Sequence, residues 1–321
     1  VLLRADMDAL PILEENKVEY VSQNPGVMHA CGHDAHTAIL LAATRILMER
    51  RDEFAGTIKV LFQPAEELPP GGAKPMIDAG VLNDPPVDAA FGLHINQDGP
   101  LGTIDIRSGP SMAAADGFKL VIRGKGGHGA KPQDCVDPIA VGAQIVTALQ
   151  TLVSREIDPV EQAVVSVCAF LAGDAFNVIP DTVELRGTVR TFTASNRDLL
   201  ERRIEDLVRG LASAMRAEIE FEYRRGYPAT VNDPEMTKLA WAAAVETVGE
   251  EQVIESPMMM GAEDFSYFLQ EVPGCYWFVG SRNEEKGFVW GHHHPRFDLD
   301  EGALAIGIES IVRTALAYLQ S

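Results

Sequence analysis

One short segment, from Met28 to Thr37, constrains this chain more than any other. Its Cys31 and His33 flank a single glycine, so both side chains can turn towards one point while the backbone bends sharply. Thiolate and imidazole are typical ligands of Zn²⁺ and related metals. Apolar residues at helical spacing follow, from His36 to Arg50. An isolated Cys-x-His pair usually belongs to a buried cysteine and a helix start, but further groups along this chain favour a metal site.

Chemically capable side chains follow predicted strands at three places. They are Asp6 with Asp8, Glu66 with Glu67, and His94, after strands predicted at 1–5, 56–62 and 87–91. Because open α/β sheets form their ligand crevices at the carboxyl ends of the strands, we expect these groups to share one crevice. The adjacent Glu66 and Glu67 are expected to point apart, so that one binds a metal and the other faces the water. Taken singly, each group also has a structural interpretation. Asp6 and Asp8 can be cap residues, Glu66 and Glu67 an exposed acidic turn, and His94 a structural histidine.

The order of predicted elements divides the chain. At 321 residues, two domains are expected. Residues 116–226 have the order β-α-β-β-α-β, which predicts a ferredoxin-like α+β domain inserted between two parts of a catalytic domain, 1–115 and 227–321. The catalytic domain is predicted to be α/β, with a mixed, mainly parallel sheet and helices on both faces. Because residue 1 lies inside a predicted strand, we expect the N-terminus to be truncated.

Charge and cysteine content limit the function classes. The formal net charge of −20 argues against a nucleic-acid partner, because a phosphate backbone requires a basic face. Four cysteines in so long a chain are not a disulfide framework and favour a reducing, cytoplasmic location, which leaves Cys31 available as a thiolate. No apolar stretch approaches the roughly 20 residues of a membrane span, so no membrane partner is expected.

A glycine-rich loop, Gly124 to Gly129, satisfies the G-x-G-x-x-G pattern of dinucleotide binding. Its context does not fit, because Pro132 and Pro138 interrupt any immediate helix and the loop lies in the inserted module. We prefer a flexible loop that presents His128 to a substrate. A nucleotide-dependent oxidoreductase stays as an alternative.

Other polar residues have both structural and functional interpretations. Asn177 and Arg190 are either a turn residue and a surface residue, or groups that bind a substrate carboxylate, Arg190 through a bidentate fork. Gly261 begins a turn into a predicted helix that starts with the acidic residues Glu263 and Asp264, and the free N–H groups of that helix can face an anionic group. The run at 292–294 is an internal triple histidine, which favours a metal site over an affinity tag.

An ordered set of motifs resembles one known family over nearly the whole chain. The motifs are RADMDALP from Arg4, MHACGHDAHTA from Met28, FQPAEE from Phe62, GLH from Gly92, GKGGHGAKP from Gly124, NVIP from Asn177, MMMGAEDF from Met258 and HHPRFDLDE from His293. This set resembles the amidohydrolase branch of the aminoacylase/carboxypeptidase G metallopeptidases. That branch contains hippurate hydrolase and the plant indole-acetyl-amino acid hydrolases.

The resemblance implies a zinc-peptidase-like catalytic domain with a site for two divalent metal ions. Mn²⁺ or Zn²⁺ is expected, with Co²⁺ and Ni²⁺ as further possibilities. The implied ligands are Cys31, His33, Glu67, His94 and His293. His294 competes with His293, which is preferred because the family's ligand stands two residues before the proline. Glu66 is implied as the general base and Asp8 as a group that supports the ligands from behind, while Asp6 stands where other branches of the family carry a metal-binding histidine.

The resemblance also implies roles for the inserted domain as a lid and a dimerisation domain. His128 would reach the site of a partner subunit in a homodimer and stabilise the oxyanion. Asn177, Arg190 and the Gly261 backbone would hold the substrate carboxylate.

The implied activity is hydrolysis of N-acetyl, N-benzoyl or indole-acetyl amino acids by metal-activated water. The alternatives are a dipeptidase or an N-acetyl-diamino acid deacetylase on the same metal core, and a catalytically silent binder or sensor. The silent binder is disfavoured because the base and all the implied ligands are present.

Overall fold

The computed structural model describes residues 1–320. The chain groups into two compact units. The first contains Val1–Ser111, Thr230–Met258 and the described residues from Glu263 onward, and the second contains Met112–Ala229 and Met259–Ala262. The second unit thus includes the module expected at 116–226. It also contains Met259–Ala262, which the sequence assigned to the catalytic domain.

The elements alternate between strands and helices along the chain. The strands are β1 (Leu2–Asp6), β2 (Lys59–Gln63), β3 (Ala90–Pro100), β4 (Ile104–Ile106), β5 (Gly109–Met112), β6 (Ala114–Arg123), β7 (Gly127–His128), β8 (Ala163–Ala172), β9 (Val178–Ile179), β10 (Thr182–Thr191), β11 (Glu218–Arg225), β12 (Thr230–Asn232), β13 (Val253–Glu255) and β14 (Gly274–Arg282). The helices are α1 (His33–Glu49), α2 (Ala73–Asp78), α3 (Pro138–Glu156), α4 (Ala194–Ala214), α5 (Pro234–Val248), α6 (Ser266–Glu271) and α7 (Gly302–Leu319). Short 3₁₀ turns lie at Arg51–Glu53, Pro132–Asp134 and Glu250–Gln252.

The first unit is built on a sheet with the strand order β13-β4-β14-β3-β1-β2. β1 pairs in parallel with β2 and β3, β14 pairs in parallel with β3, and β4 pairs in parallel with β13. The one antiparallel junction lies between β14 and β4. This mixed, mainly parallel sheet confirms the predicted fold class. Every residue of β1 is buried, as expected for a parallel strand covered on both faces.

Side chains alternate between two environments along the central strands. Leu3, Phe91 and Trp277 belong to a core cluster that also contains residues of α1, α5 and α7. Arg4 and Tyr276 contact Phe265 instead, which lies 5.9 Å from the Arg4 guanidinium carbon and is stacked on the tyrosine at 5.0 Å. One face of β1 is therefore apolar, and the other carries buried charge.

Helix α7 packs against α1 and α5 and contributes Ile311, Val312 and Ala315 to the core. Among the described residues it is the one helix long and apolar enough to cross a membrane, a feature that the sequence analysis did not identify. About half of it, 44%, is buried inside the fold. Because a core helix meets the same criterion, this is weak evidence for a membrane span.

The second unit has an antiparallel sheet in the order β11-β6-β10-β8, and its helices α3 and α4 pack on each other and on the sheet. In chain order β6, α3, β8, β10, α4 and β11 reproduce the predicted β-α-β-β-α-β pattern. The glycine loop enters the short strand β7, which pairs with β9. The next α-helix begins only at Pro138, so the loop lacks the strand-to-helix turn that dinucleotide binding requires.

Candidate metal centre

The first unit brings together all five implied metal ligands. Three sets of donor atoms lie within 4.8 Å of one another, namely Cys31 with His33 and His94, Cys31 with Glu67 and His293, and His33 with Glu66 and Glu67. The Cys31 Sγ atom lies 3.6 Å from His94 Nε2. Glu67 Oε1 lies 3.1 Å from His293 Nε2 and 3.9 Å from His33 Nε2. One cluster therefore joins residues from four separate segments.

The bend at Gly32 allows its two neighbours to face the cluster. Gly32 has φ 86°, in the left-handed region, and stands immediately before helix α1, whose first residue is His33. A side chain there would be strained, because only glycine adopts this conformation readily. Cys31 and His33 are both buried. The Cys-Gly-His spacing therefore has the consequence that the sequence predicted.

Two cluster segments contain non-glycine residues in the left-handed region. Ala65, directly before Glu66, has φ 58°, and His293 has φ 65°. Such backbone costs on the order of 1–3 kcal/mol and persists only where surrounding contacts fix it. For His293 one such contact is visible, since its N–H donates to the Ala30 carbonyl at 2.7 Å.

His94 lies within its strand and not at the strand end, so that part of the prediction was wrong. β3 runs to Pro100 because β14 continues to pair with it past Asn96. His94 still reaches the cluster, since its side chain leaves β3 on the side where Cys31 lies.

Two imidazoles are held by their Nδ1 atoms. Only acceptors surround His33 Nδ1, with the Asp8 carbonyl at 3.0 Å and Asp8 Oδ1 at 3.2 Å. His94 Nδ1 lies 2.7 Å from the Ile95 carbonyl. These partners place a proton on Nδ1 in both rings, so each Nε2 faces the cluster and is the nitrogen available to bind a metal. Metal-binding histidines are typically held in this way.

The cluster contains buried atoms without hydrogen-bond partners among the described residues. They are His33 Nε2 and Glu67 Oε1. A buried polar atom without a partner usually costs about 1–3 kcal/mol, so such atoms require an explanation. A thiol, three imidazoles and a carboxylate facing one point fit borderline divalent cations such as Zn²⁺.

The electrostatics of the cluster also favour bound cations. Burial raises the pKa of the Cys31 thiol, and the nearby Glu67, Glu66 and Asp6 raise it further. Burial and the neighbouring Glu263 raise the pKa of Glu66 to about 11, against the opposing effect of Arg4. Without a bound cation, the surroundings of both groups therefore favour the protonated forms. Metal binding would displace such protons and relieve the repulsion.

The two histidines on α1 behave differently. Burial lowers the pKa of His33, but the hydrogen bond with Asp8 and the charges of Asp6, Asp8 and Glu67 outweigh it and raise the pKa to about 9. His36 uses both ring nitrogens, because Nδ1 lies 2.5 Å from Asp6 Oδ1 and Nε2 accepts the Ile95 N–H at 2.9 Å. His36 therefore has no lone pair free for a metal.

Asp8 makes the contacts expected of a group that supports the ligands. Besides its contacts with His33, its Oδ2 accepts the N–H of Glu67 at 3.1 Å. Asp6 is fully buried and pairs with His36 and Arg4. The two oxygens of the Asp6 carboxylate are therefore taken by His36 and Arg4.

The three consecutive histidines separate into three environments. His293 joins Cys31 and Glu67, and its side chain is 53% exposed, so the cluster is accessible from solvent on this side. His292 Nε2 accepts the Gln97 N–H at 3.2 Å, and burial lowers its pKa to about 4. His294 stacks on Trp290 with ring centroids 4.3 Å apart. The geometry favours His293 over His294 as the ligand.

The residues implied for substrate binding all lie in the second unit. His128 pairs with Val178 across β7 and β9, and the Asn177 carbonyl accepts the Gly129 N–H at 2.8 Å. His128 and Asn177 are therefore neighbours. Arg190 lies on β10 without a hydrogen-bond or ion-pair partner among the described residues, and burial lowers its pKa. Gly261 belongs to the short segment Met259–Ala262, and its carbonyl accepts the Ala113 N–H at 3.0 Å.

The sequence analysis missed a buried ionic network behind the cluster. Arg4 is 1% exposed and pairs with Asp6, Glu263 and Asp264. One signal was available, because arginine is almost never buried unless it is paired and Arg4 stands inside an apolar strand. The segment at Glu263 was expected to begin a helix, but α6 begins only at Ser266, and the two acidic side chains turn towards Arg4.

A mainly parallel α/β sheet with a cluster of thiol, imidazole and carboxylate donors is typical of hydrolases that activate water at a metal. The sequence pattern of peptidase family M20/M25/M40 matches residues 2–317. The chain belongs to this family and is a hydrolase.

Curated relatives with different activities are similar to this chain. Thermostable carboxypeptidase 2 of Saccharolobus solfataricus is 43% identical over 311 residues, which cover 96% of this chain and 77% of the relative. The IAA-amino acid hydrolase ILR1-like 4 of Arabidopsis thaliana is 42% identical over 323 residues, covering 99% of this chain and 73% of the relative. Among solved structures, the Bacillus subtilis YXEP protein, described as a dinuclear metal binding peptidase of the M20 family, has a TM-score of 0.84 at 36% identity and covers 100% of this chain and 81% of that one.

Proposed function

We propose that this chain is an amidohydrolase that releases amino acids from N-acyl amino acids, using two divalent cations held by five side chains. These are Cys31, His33, Glu67, His94 and His293. The observation that carries the proposal is the convergence of these five donors, among which the buried atoms His33 Nε2 and Glu67 Oε1 make no hydrogen bond within the described residues. The relative that hydrolyses IAA-amino acids and the dinuclear metal peptidase support both the reaction class and the number of metals.

The side chains of the cluster have different proposed roles in the reaction. Divalent cations at this site would supply a water of lowered pKa and polarise the scissile carbonyl. Glu66 is 7% exposed and lies beside the donor set without belonging to the five ligands. Glu66 would accept the proton of the attacking water and deliver it to the leaving amine. Asp8 would hold His33 and the Glu67 backbone in place while this occurs.

We propose that the second unit binds the substrate. Arg190, a guanidinium without a partner among the described residues, suits the amino acid carboxylate through a bidentate fork. Asn177 and the Gly261 backbone would hold the same group. His128, in the strand pair next to Asn177, would stabilise the oxyanion of the tetrahedral intermediate.

A homodimer through the second unit is also proposed. β8 is a strand of ten residues at the edge of its sheet, and within residues 1–320 no strand pairs with its outer side. It exposes Phe170 and Leu171, and the nearby Phe176 is fully exposed. An apolar edge strand of this length invites pairing with another chain. In such a dimer His128 would serve the metal centre of the partner subunit.

The competing function is peptide hydrolysis. The similarity to a thermostable carboxypeptidase favours it, since peptides and N-acyl amino acids present the same amide and carboxylate. A dipeptidase and an N-acetyl-diamino acid deacetylase would use the same metal core.

One substrate screen tests the proposal. The purified chain is analysed for bound metal and then assayed, after loading with Mn²⁺ or Zn²⁺, against N-acetyl, N-benzoyl and indole-acetyl amino acids and against dipeptides. We expect two metals per chain and a higher kcat/KM on N-acyl amino acids. Faster cleavage of dipeptides would favour the competing function, and no hydrolysis of any amide would contradict both.

A further inference from the structure

We infer that Arg4 is a positioning residue for the proposed reaction, and that it fixes from within the fold the segments carrying Glu66, Glu67 and His94. This inference rests on the proposed function. The hydrogen-bond partners of Arg4 are Gln63, Asp6, Glu263 and Asp264, and none of them is a proposed metal ligand.

Arg4 lies at the centre of a buried hydrogen-bond network. Its Nε donates to Gln63 Oε1 at 3.0 Å, and its Nη1 donates to Asp6 Oδ2 at 2.5 Å. Its Nη2 donates to Glu263 Oε1 at 2.9 Å and to Asp264 Oδ1 at 2.8 Å. Three carboxylates thus surround one guanidinium, which keeps the pKa of Arg4 well above its ordinary value despite burial.

One branch of this network fixes both ends of the loop that carries Glu66 and Glu67. Gln63 stands just before the loop, at the end of β2, and its Nε2 donates to Asp264 Oδ2 at 2.7 Å. Just after the loop, Asp264 Oδ2 also accepts the N–H groups of Gly72 at 2.9 Å and Ala73 at 3.0 Å. The loop ends approach so closely that a Cβ on Gly72 would lie 1.8 Å from the Pro64 carbonyl.

A second branch reaches the backbone beside His94. Asp6 receives one hydrogen bond from Arg4 and contacts His36 Nδ1 at 2.5 Å. His36 Nε2 in turn accepts the Ile95 N–H at 2.9 Å. The path from Arg4 to the residue after His94 therefore contains two side chains, both of which are buried.

The geometry requires an arginine. The planar guanidinium presents donors in several directions from one rigid group, whereas the lysine ammonium is a compact charge on a flexible chain. Lysine at position 4 would keep the positive charge but could not contact Gln63, Asp6 and Asp264 together. Arg4→Lys therefore removes the hydrogen-bond geometry but keeps the positive charge. A neutral replacement would in addition leave three buried carboxylates without a counter-charge.

The test compares Arg4→Lys with Arg282→Lys in the metal-loaded protein. Arg282 ends β14 and pairs with the exposed Glu284, so its replacement is a matched control on the same sheet. We expect Arg4→Lys to lower kcat by about 10²-fold, as misplaced catalytic groups do, and to change KM less than about threefold. Arg282→Lys is expected to match the wild type.

Hydrogen exchange of the metal-free protein supplies a readout independent of activity. In Arg4→Lys the amides of Gly72, Ala73 and Ile95 are expected to exchange faster, while helix α7 keeps wild-type protection. Asp264→Asn should release Gly72 and Ala73 but leave Ile95 protected, because only the first branch contains Asp264. If Arg4→Lys loses protection throughout the first unit, the Asp264→Asn variant becomes the test. The inference then requires faster exchange at Gly72 and Ala73, unchanged exchange at Ile95, and a fall in kcat of about 10²-fold.

The outcomes distinguish this inference from the proposed function. A wild type that hydrolyses no amide overturns the proposed function. An active wild type, combined with wild-type kcat in a folded Arg4→Lys or in Asp264→Asn, overturns the inference about Arg4 alone. Unchanged exchange at Gly72, Ala73 and Ile95 in Arg4→Lys overturns it as well.

Discussion

The carboxylate of Glu67 and the imidazole of His293 meet at 3.1 Å, although the two residues are distant in sequence. Glu67 follows β2, whereas His293 lies in the loop between β14 and α7. Glu67 Oε1 is buried and makes no hydrogen bond among the described residues. The contact therefore brings a carboxylate and an imidazole from distant parts of the chain to one point, where both can bind the same cation.

Replacement of Cys31 tests the thiol as a ligand. Replacing a residue that only supports a metal ligand typically lowers metal affinity by about 10–100-fold. Because Cys31 is proposed to bind the metal itself, we expect Cys31→Ser to lower the affinity by at least about 100-fold. Competition with a chromogenic chelator measures this affinity. Cys168→Ser serves as the control, since Cys168 is an exposed free cysteine in the second unit. Equal affinities in the two variants would remove Cys31 from the site.

The adjacent acids Glu66 and Glu67 are expected to fail in different ways. Glu66→Gln should retain both metals and lose kcat by about 10²–10⁴-fold, the usual contribution of a general base. Glu67→Gln should lose metal, because Glu67 contacts two of the imidazoles. Metal content and kcat measured on the same samples separate the two effects. Near-normal turnover in Glu66→Gln would exclude it as the base.

The triple histidine offers its own matched pair. His293→Ala is expected to lose metal, whereas His294→Ala should keep it, because His294 is stacked on Trp290 and is absent from the donor sets. Metal content after dialysis provides the measurement. Loss of metal in His294→Ala with retention in His293→Ala would reverse the assignment.

Mixed dimers test the role of His128. Neither His128→Ala nor Glu66→Gln should be active alone. If His128 acts on the partner subunit, unfolding and refolding the two variants together should restore part of the activity, since some dimers then contain one intact site. If light scattering shows that the protein is dimeric and the mixture is still as inactive as each variant alone, His128 acts on the metal centre of its own subunit.

The second unit contains a buried ion pair whose loss should destabilise it. Asp116 is 5% exposed and accepts two hydrogen bonds from Arg197, at 2.5 and 2.9 Å, as well as bonds from Tyr223 and Gly226. Asp116→Asn is expected to lower the free energy of unfolding of this unit by about 3–5 kcal/mol, because it leaves the partly buried Arg197 charge without a counter-charge. Urea unfolding followed by hydrogen exchange in α4 measures the change.

An exposed pair provides the comparison for Asp116. Glu220 pairs with Arg123 on the surface of the same sheet. Glu220→Gln should leave the free energy of unfolding close to that of the wild type, because exposed ion pairs contribute little to stability. Similar changes in the two variants would show that the Asp116 network contributes no more than a surface contact.

Local chemistry made much of the site predictable. Cys31 and His33 are separated by one glycine, and Glu66 follows a strand of β-branched and aromatic residues, so sequence spacing alone indicated where they would point. The prediction of one crevice followed from the general geometry of parallel sheets. His94 was misplaced at a strand end because the length of β3 depends on pairing with β14, which is distant in sequence.

The network around Arg4 was beyond the reach of sequence patterns. Its acceptors come from residues at 6, 63, 263 and 264, and nothing local to any of them indicates the others. His36 was likewise assigned only to a helix, since its two partners belong to β1 and β3. Such contacts depend on tertiary packing, whereas helix and strand periodicity depends on neighbours in sequence.

The central claim is that five side chains from distant segments hold a pair of cations. Anomalous X-ray scattering from crystals of the metal-loaded protein, collected at the absorption edge of the metal, tests it most directly. Two anomalous peaks within bonding distance of Cys31, His33, Glu67, His94 and His293 are expected. Peaks elsewhere on the chain, or none in this cluster at full metal loading, would contradict the account.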